Sequence, residues 1–129
     1  VRLLLDTQIA IWSISGSEKL DGKMRETLAS AETAVYVSAV SIWEIAIKFA
    51  LAKPTAPPFS GIEAIGHCRT MNYDLLAVTP EHAAAVGTLP LHHGDPFDRL
   101  LVAQALTEPL RLVTADKKIA VYSDTVILC

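Results

Sequence analysis

Only two cysteines, Cys68 and Cys129, occur among the 129 residues. Two thiols make no disulfide framework, so a reducing cytosol is the expected compartment. No apolar run approaches the roughly 18 residues that a membrane-spanning helix needs. The apolar run Leu3-Leu4-Leu5, closed by Asp6, is too short for the core of a signal peptide. Positive charge is also scarce: 11 Lys and Arg stand against 14 Asp and Glu, a formal net charge of −3. A protein that coats nucleic acid by charge alone is basic. Any nucleic-acid role here has to work through a local basic rim or a metal. Internal repeats and low-complexity segments are absent too.

What the chain does have is apolar residues, 51% of the total, with a mean hydropathy of +0.36. For so small a soluble protein this implies that some apolar surface faces a partner. The length fits one domain, residues 1–129, able to bury roughly two thirds of its unfolded surface. Short apolar runs read as strands over 2–5, 34–38, 74–78, 111–113 and 126–128. Helical patterns fall between them, over 7–14, 20–31, 41–51, 60–71, 79–87, 97–107 and 116–120. Pro54, Pro57 and Pro58 mark a loop. The segment from Thr88 to Pro96 reads as an ordered loop. Thr79-Pro80 is an N-cap followed by proline at the first helical position. The alternation predicts an α/β fold with a mostly parallel central sheet and helices on both faces.

Four acids sit at the joints of this pattern. Asp6 follows the first strand, Glu44 and Asp98 lie near the starts of helices, and Asp116 follows Leu110-Arg111-Leu112-Val113. In an open α/β sheet such positions converge beyond the carboxyl ends of the strands. Carboxylates gathered there repel one another, and a divalent cation is the usual remedy. Each acid alone has a plainer reading. Ser41 and Glu44 match a capping box, and Asp95, Pro96 and Asp98 match a helix start. The spacing leaves both readings open. Lys48, four residues after Glu44, reads either as a helix-surface ion pair or as a lysine orienting Glu44. Arg99 can contact a phosphate or only Asp98. His92 and His93 read mainly as loop-orienting, because an all-carboxylate site selects hard cations. Trp12 and Trp43 read as core or partner-facing anchors. Thr7, Ser38 and Thr114 can hydrogen-bond to metal ligands or cap helices.

Taken together, Leu4-Leu5-Asp6-Thr7, Val37-Ser38-Ala39-Val40-Ser41-Ile42-Trp43-Glu44, Asp95-Pro96-Phe97-Asp98-Arg99 and Val113-Thr114-Ala115-Asp116 resemble the PIN domain, and more narrowly the VapC toxins of toxin–antitoxin pairs. The resemblance implies a three-layer PIN-like fold and a metal-dependent endoribonuclease. It implies that Asp6, Glu44, Asp98 and Asp116 form both the catalytic and the metal site, with Mg2+ or Mn2+ as cofactor. Asp6 with Asp98 or Asp116 would bind the metal, and Glu44 would hold or deprotonate the attacking water. Asp98 is preferred to Asp95 because the helix after it, Arg99 to Ala105, matches the helix that the family places after its third acid. RNA is the implied substrate, guided by Lys48, Lys53, Arg69, Arg99, Lys117 and Lys118 at the rim. An antitoxin and a second copy of the chain are the implied partners. Two other readings stay open. A receiver-type phosphoacceptor domain has similar alternation, but it needs adjacent acids after the first strand and an acid after the third. A catalytically silent PIN-fold binding module would not need the four acids.

Overall fold

The structure is a computed structural model describing residues 1–129. Five strands, β1 (Arg2–Leu5), β2 (Ala34–Ser38), β3 (Asp74–Leu76), β4 (Arg111–Thr114) and β5 (Ile127–Leu128), form one sheet in the order β3-β2-β1-β4-β5. Every pairing is parallel. The helices are α1 (Thr7–Ser15), α2 (Gly22–Ala29), α3 (Ala39–Leu51), α4 (Gly61–Thr70), α5 (Pro80–Ala85), α6 (Pro96–Thr107) and α7 (Lys117–Ala120), with a 3-10 turn over Val86–Thr88.

Leu3, Leu4 and Leu5 are all fully buried, as expected of a central parallel strand covered on both faces. Because side chains alternate along a strand, these three divide between two cores. Leu3 and Leu5 pack with Ile9 and Ala10 of α1, Met24 and Leu28 of α2, and Cys68 of α4. Leu4 packs on the opposite face with Leu101, Val102 and Ala105 of α6 and Ile119 of α7. Val113 and Leu112 of β4 divide in the same way. The result is three layers, with the mostly parallel sheet of the sequence reading realised as a wholly parallel one.

The order of the strands decides where a site can lie. From β1 the chain moves outward to β2 and β3. Helix α6 then leads back to β4 on the far side of β1. Such a reversal opens a crevice beyond the carboxyl ends of the two strands between which it occurs, here β1 and β4.

Several boundaries differ from expectation for identifiable reasons. Helix α3 begins at Ala39, two residues before the expected start, because the Ser38 hydroxyl caps it by accepting from the Val40 amide at 3.0 Å. Ser41 is therefore not the cap; it is buried and accepts a 2.9 Å hydrogen bond from Thr7, tying α1 to α3. Strand β3 ends at Leu76, short of residue 78, and the Ala77 carbonyl accepts instead from Gln104 of α6 at 3.3 Å. Nearby, His82 is fully buried. Its Nδ1 accepts from the Thr79 amide, completing a capping box, so Nε2 carries the proton and donates to Glu108. That imidazole fastens α5 to the end of α6.

A third apolar cluster joins Ile45 of α3 to Phe59 and to Ala64 of α4. The two helices meet most closely at Gly61, where a Cβ would stand 2.9 Å from the Ala46 Cβ and 3.4 Å from the Ile42 carbonyl oxygen. Neither neighbour is a flexible side-chain end, so the helices have to part to admit a methyl group. Gly61→Ala is expected to destabilise the protein by roughly 1–3 kcal/mol despite alanine's better helix propensity. Urea unfolding checks this, and an unchanged or raised midpoint would show that α4 has room to shift.

Candidate active site

Asp6 directly follows β1 and caps α1. Its Oδ1 accepts from the Ile9 amide at 2.8 Å, and its Oδ2 accepts from the Thr114 hydroxyl at the end of β4. The same hydroxyl accepts from the Asp116 amide at 3.0 Å. Thr114 thus joins two acids lying on adjacent strand ends. Asp116 caps the short α7 by accepting from Lys118 at 2.8 Å. Glu44 projects from the second turn of α3, and Lys48, one turn on, donates to its Oε2. Asp98 lies in the first turn of α6, which Asp95 caps by accepting from the Phe97 and Asp98 amides at 2.9 and 3.4 Å.

All four expected acids line one cleft of about 940 Å³, together with Asp95, Lys48, Lys53, Lys117 and Lys118. Other wall residues, among them Gln8, Ile11, Thr55 and Pro57, come from α1 and the α3–α4 loop. Burial raises the Asp6 carboxyl to about 6, and the charges of Asp98 and Glu44 push the same way against the hydrogen bonds from Thr114 and Ile9. Asp98 is likewise raised to about 6, first by burial and then by Asp95 and Glu44, with the His93 contact opposing. The Lys48 ammonium is held above its ordinary value chiefly by its bond to Glu44. Glu44 is only 6% exposed, yet its Oε1 has no hydrogen-bond partner. Buried polar atoms in folded proteins nearly always have one.

His93 departs from the expected role of loop orientation alone. Its Nε2 stands 2.9 Å from Asp98 Oδ2 and 3.5 Å from Asp116 Oδ2. The signal in the sequence was the His92-His93-Gly94-Asp95-Pro96 run, which does not by itself say which imidazole turns inward. His92 turns the other way and packs edge-on against Tyr122, with ring centroids 5.1 Å apart.

Arg99 is not a free rim cation. Its guanidinium donates to the Pro90 carbonyl at 3.0 Å, the Tyr122 hydroxyl at 3.1 Å and the Val86 carbonyl at 3.2 Å. Arg69, near the end of α4, does not line the cleft. Ser38 and Thr7 bond to a helix amide and to Ser41, not to a carboxylate of the cleft. Of the three hydroxyls considered, Thr114 alone holds an acid of the site directly.

The raised carboxyls have a thermodynamic consequence. A carboxyl whose folded pKa lies above its unfolded value, here about 6 against 3.8, binds protons more readily in the folded state. Its stabilising contribution is complete below about pH 4 and is lost as pH rises through about 6. With a chelator present, lowering pH from 7.5 to about 5.5 should therefore increase the unfolding free energy, by roughly 1–3 kcal/mol for the pair. Urea titrations along this series check it. A flat or falling stability would show that folding does not raise the two carboxyls.

Comparison with known proteins agrees with this fold. The PIN domain family model matches residues 3–124. Ribonuclease VapC22 of Mycobacterium tuberculosis (strain ATCC 25618 / H37Rv) is 30% identical over 126 residues, spanning 91% of this chain and 88% of its own length. Among solved structures, VapBC2 from Rickettsia felis, bound to a DNA fragment from its promoter, superposes with a TM-score of 0.70 at 16% identity, covering 100% of this chain and 98% of that one. VapBC-5 from Mycobacterium tuberculosis, of the VapBC family of toxin–antitoxin systems, gives 0.65 at 19% identity, covering 99% and 98%. At those identities the two structures speak for the fold, whereas the family model and the ribonuclease speak for descent. With a parallel five-stranded sheet, a carboxylate cleft at its switch point and these matches, the chain belongs to the PIN-domain family, among its VapC-type members.

Proposed function

We propose that this chain is an endoribonuclease that hydrolyses RNA phosphodiester bonds with a divalent cation, Mg2+ or Mn2+, and that it is the toxin of a toxin–antitoxin pair. The observation that carries the reading is the unpartnered Oε1 of Glu44, buried in the cleft that Asp6, Asp98 and Asp116 also line. A buried carboxylate oxygen without a donor is unfavourable unless a ligand completes it. The donors around it are carboxylate oxygens, which suit a hard divalent cation. Asp6, Asp98 and Asp116 would hold the ion. Once bound, it offsets the carboxylate charge, acidifies a water and stabilises charge on phosphodiester oxygens.

The protein's own groups do the rest. Thr114 fixes the carboxylate of Asp6 by hydrogen bonding to it. Lys48 engages Glu44 Oε2, which leaves Oε1 to accept a proton from the attacking water. Lys53, Lys117 and Lys118 at the cleft wall would meet backbone phosphates of the substrate. So few lysines favour cleavage of an exposed or structured RNA segment over general RNA coating. The receiver reading finds no support, since β3 is followed by Ala77-Val78-Thr79 with no acid. Four carboxylates in one cleft also weigh against a silent binding module. A cytoplasmic location accords with two free thiols and with the absence of any helix long and apolar enough to cross a membrane.

Asp6→Asn, Glu44→Gln, Asp98→Asn and Asp116→Asn should each lower RNA cleavage by roughly a hundredfold or more with the fold retained, since misplacement by about 1 Å can have that effect. Asp95→Asn should stay within a few-fold of wild type, because asparagine caps a helix about as well as aspartate. Labelled RNA with Mg2+ or Mn2+, alongside circular dichroism, provides the readout. Full activity in both Asp6→Asn and Asp98→Asn sinks the assignment, and loss in Asp95→Asn alone shows that the neighbouring acid is the working one.

The partners follow from the outer face of α3. Trp43, Ile47 and Leu51 are exposed at four-residue spacing, and Trp43 meets Phe97 of α6 edge-on at 4.9 Å. This apolar stripe supports self-association, and the antitoxin would cover further apolar surface near the cleft. Sedimentation at micromolar concentration should show a dimer, and Ile47→Glu should weaken it by at least tenfold, roughly 1.4 kcal/mol. A wild-type monomer under those conditions refutes the dimer.

A further inference from the structure

We propose that His93 is a direct ligand of the cation, and that with Asp98 and Asp116 it makes a mixed nitrogen–oxygen site that takes Mn2+ in preference to Mg2+. The inference rests on the metal-dependent reading of the cleft and deepens it by naming the nitrogen donor and the ion it selects.

Three features carry it. First, one ligand atom from each of His93, Asp98 and Asp116 can be chosen so that all lie within 4.8 Å of one another. The separations from Nε2 to the two carboxylate oxygens are 2.9 and 3.5 Å. Neighbouring donors on an octahedral ion with bonds of about 2.1 Å lie about 3 Å apart, so the imidazole stands from each carboxylate at close to the separation of two donors on one ion.

Second, the cleft contains a buried carboxylate oxygen with no partner, Glu44 Oε1. It marks the cavity as made for a ligand independently of the His93 cluster.

Third, the loop carrying His93 is held firmly. The His93 amide donates to the Tyr122 hydroxyl at 2.9 Å, and that hydroxyl also lies 3.4 Å from the His93 carbonyl oxygen. Arg99 grips Tyr122 and the carbonyls of Pro90 and Val86. Since Arg99 directly follows Asp98, one turn of α6 fixes both the carboxylate and the loop that brings the imidazole to it. Pre-organisation of this kind is what a ligand set needs.

The chemistry sets the selectivity. Neutral imidazole is a good donor to transition metals, whereas Mg2+ prefers oxygen and water. Without metal, Nε2 hydrogen-bonds to Asp98. Coordination uses the same nitrogen's lone pair, so His93 binds in its Nδ1–H form, and any proton held on Nε2 moves to Nδ1 or is released.

The test uses untagged wild-type protein, His93→Ala, Asp98→Asn and Asp116→Asn, and the metals alone. Free Mn2+ is followed by electron paramagnetic resonance, with Mg2+ as competitor. The expected result is a loss of about tenfold or more in Mn2+ affinity for His93→Ala, with Mg2+ affinity changed less than threefold. Pulsed resonance on the Mn2+ complex should show a coordinated nitrogen in wild type that changes isotope signature in protein grown with 15N-histidine and is missing in His93→Ala. If Mn2+ binds without that nitrogen, or if His93→Ala weakens both metals equally, His93 only orients the carboxylates and the proposal is overturned. If Asp98→Asn and Asp116→Asn bind Mn2+ as tightly as wild type, the metal reading of the cleft fails, and this inference with it.

Discussion

Burial of carboxylates gathered at one end of the sheet is the constraint around which the molecule is arranged. Asp6, Glu44, Asp95, Asp98 and Asp116 line one cleft, and loss of hydration, followed by the charge of neighbouring acids, opposes ionisation of Asp6 and Asp98. The surroundings answer with fixed donors. The Ile9 amide and Thr114 hydroxyl serve Asp6, Lys48 serves Glu44, His93 serves Asp98, and the Lys118 amide serves Asp116. Two of these donors, the Ile9 and Lys118 amides, belong to the backbone at helix starts, where the helix dipole favours negative charge. Helix capping and site construction are thus the same interactions seen from two sides. The choice between structural and functional roles that each acid posed in isolation was a false one, since Asp6 and Asp116 cap helices and line the cleft at once.

The two apolar cores keep this arrangement in place. Leu3, Leu4 and Leu5 anchor β1 from both faces, so the position of Asp6 is determined by a central strand whose leucines are fully buried. Away from the cleft, the buried imidazole of His82 ties α5 to α6 through Glu108. Helix α6 carries Asp98 at its start and Glu108 at its end cap, so both of its ends are fixed. A cluster of buried carboxylates that opposes folding is tolerable in a frame this well secured, and the same tension underlies trade-offs between stability and function elsewhere.

Much of this was legible in the sequence, for physical reasons that differ by element. Short apolar runs exposed the strands and period-3.6 patterns the helices, and the positions of the acids after strands or near helix starts pointed to the crevice. Boundaries were less legible where tertiary contacts took over. Ser41 looked like a helix cap, but Ser38 does that work because Ser41 is needed against Thr7. Strand β3 ended early because Gln104 claims the Ala77 carbonyl. Arg99 looked like a phosphate contact and is instead committed to two carbonyls and a tyrosine. The inward turn of His93 was hidden because the groups that hold it, Tyr122 and Asp116, lie more than 20 residues away.

The hydrogen bond between Asp6 and Thr114 spans 108 residues of chain. Strand β4, which carries Thr114 and leads to Asp116, pairs directly with β1 and yet is translated after every other part of the sheet except β5. A nascent chain still lacking β4 has Asp6 without its hydroxyl partner, no crevice wall on that side and no fourth acid. Synthesis from the N-terminus therefore gives the molecule a built-in delay. The acidic cleft is complete only when β4 and the segment leading to Asp116 are free to fold against β1.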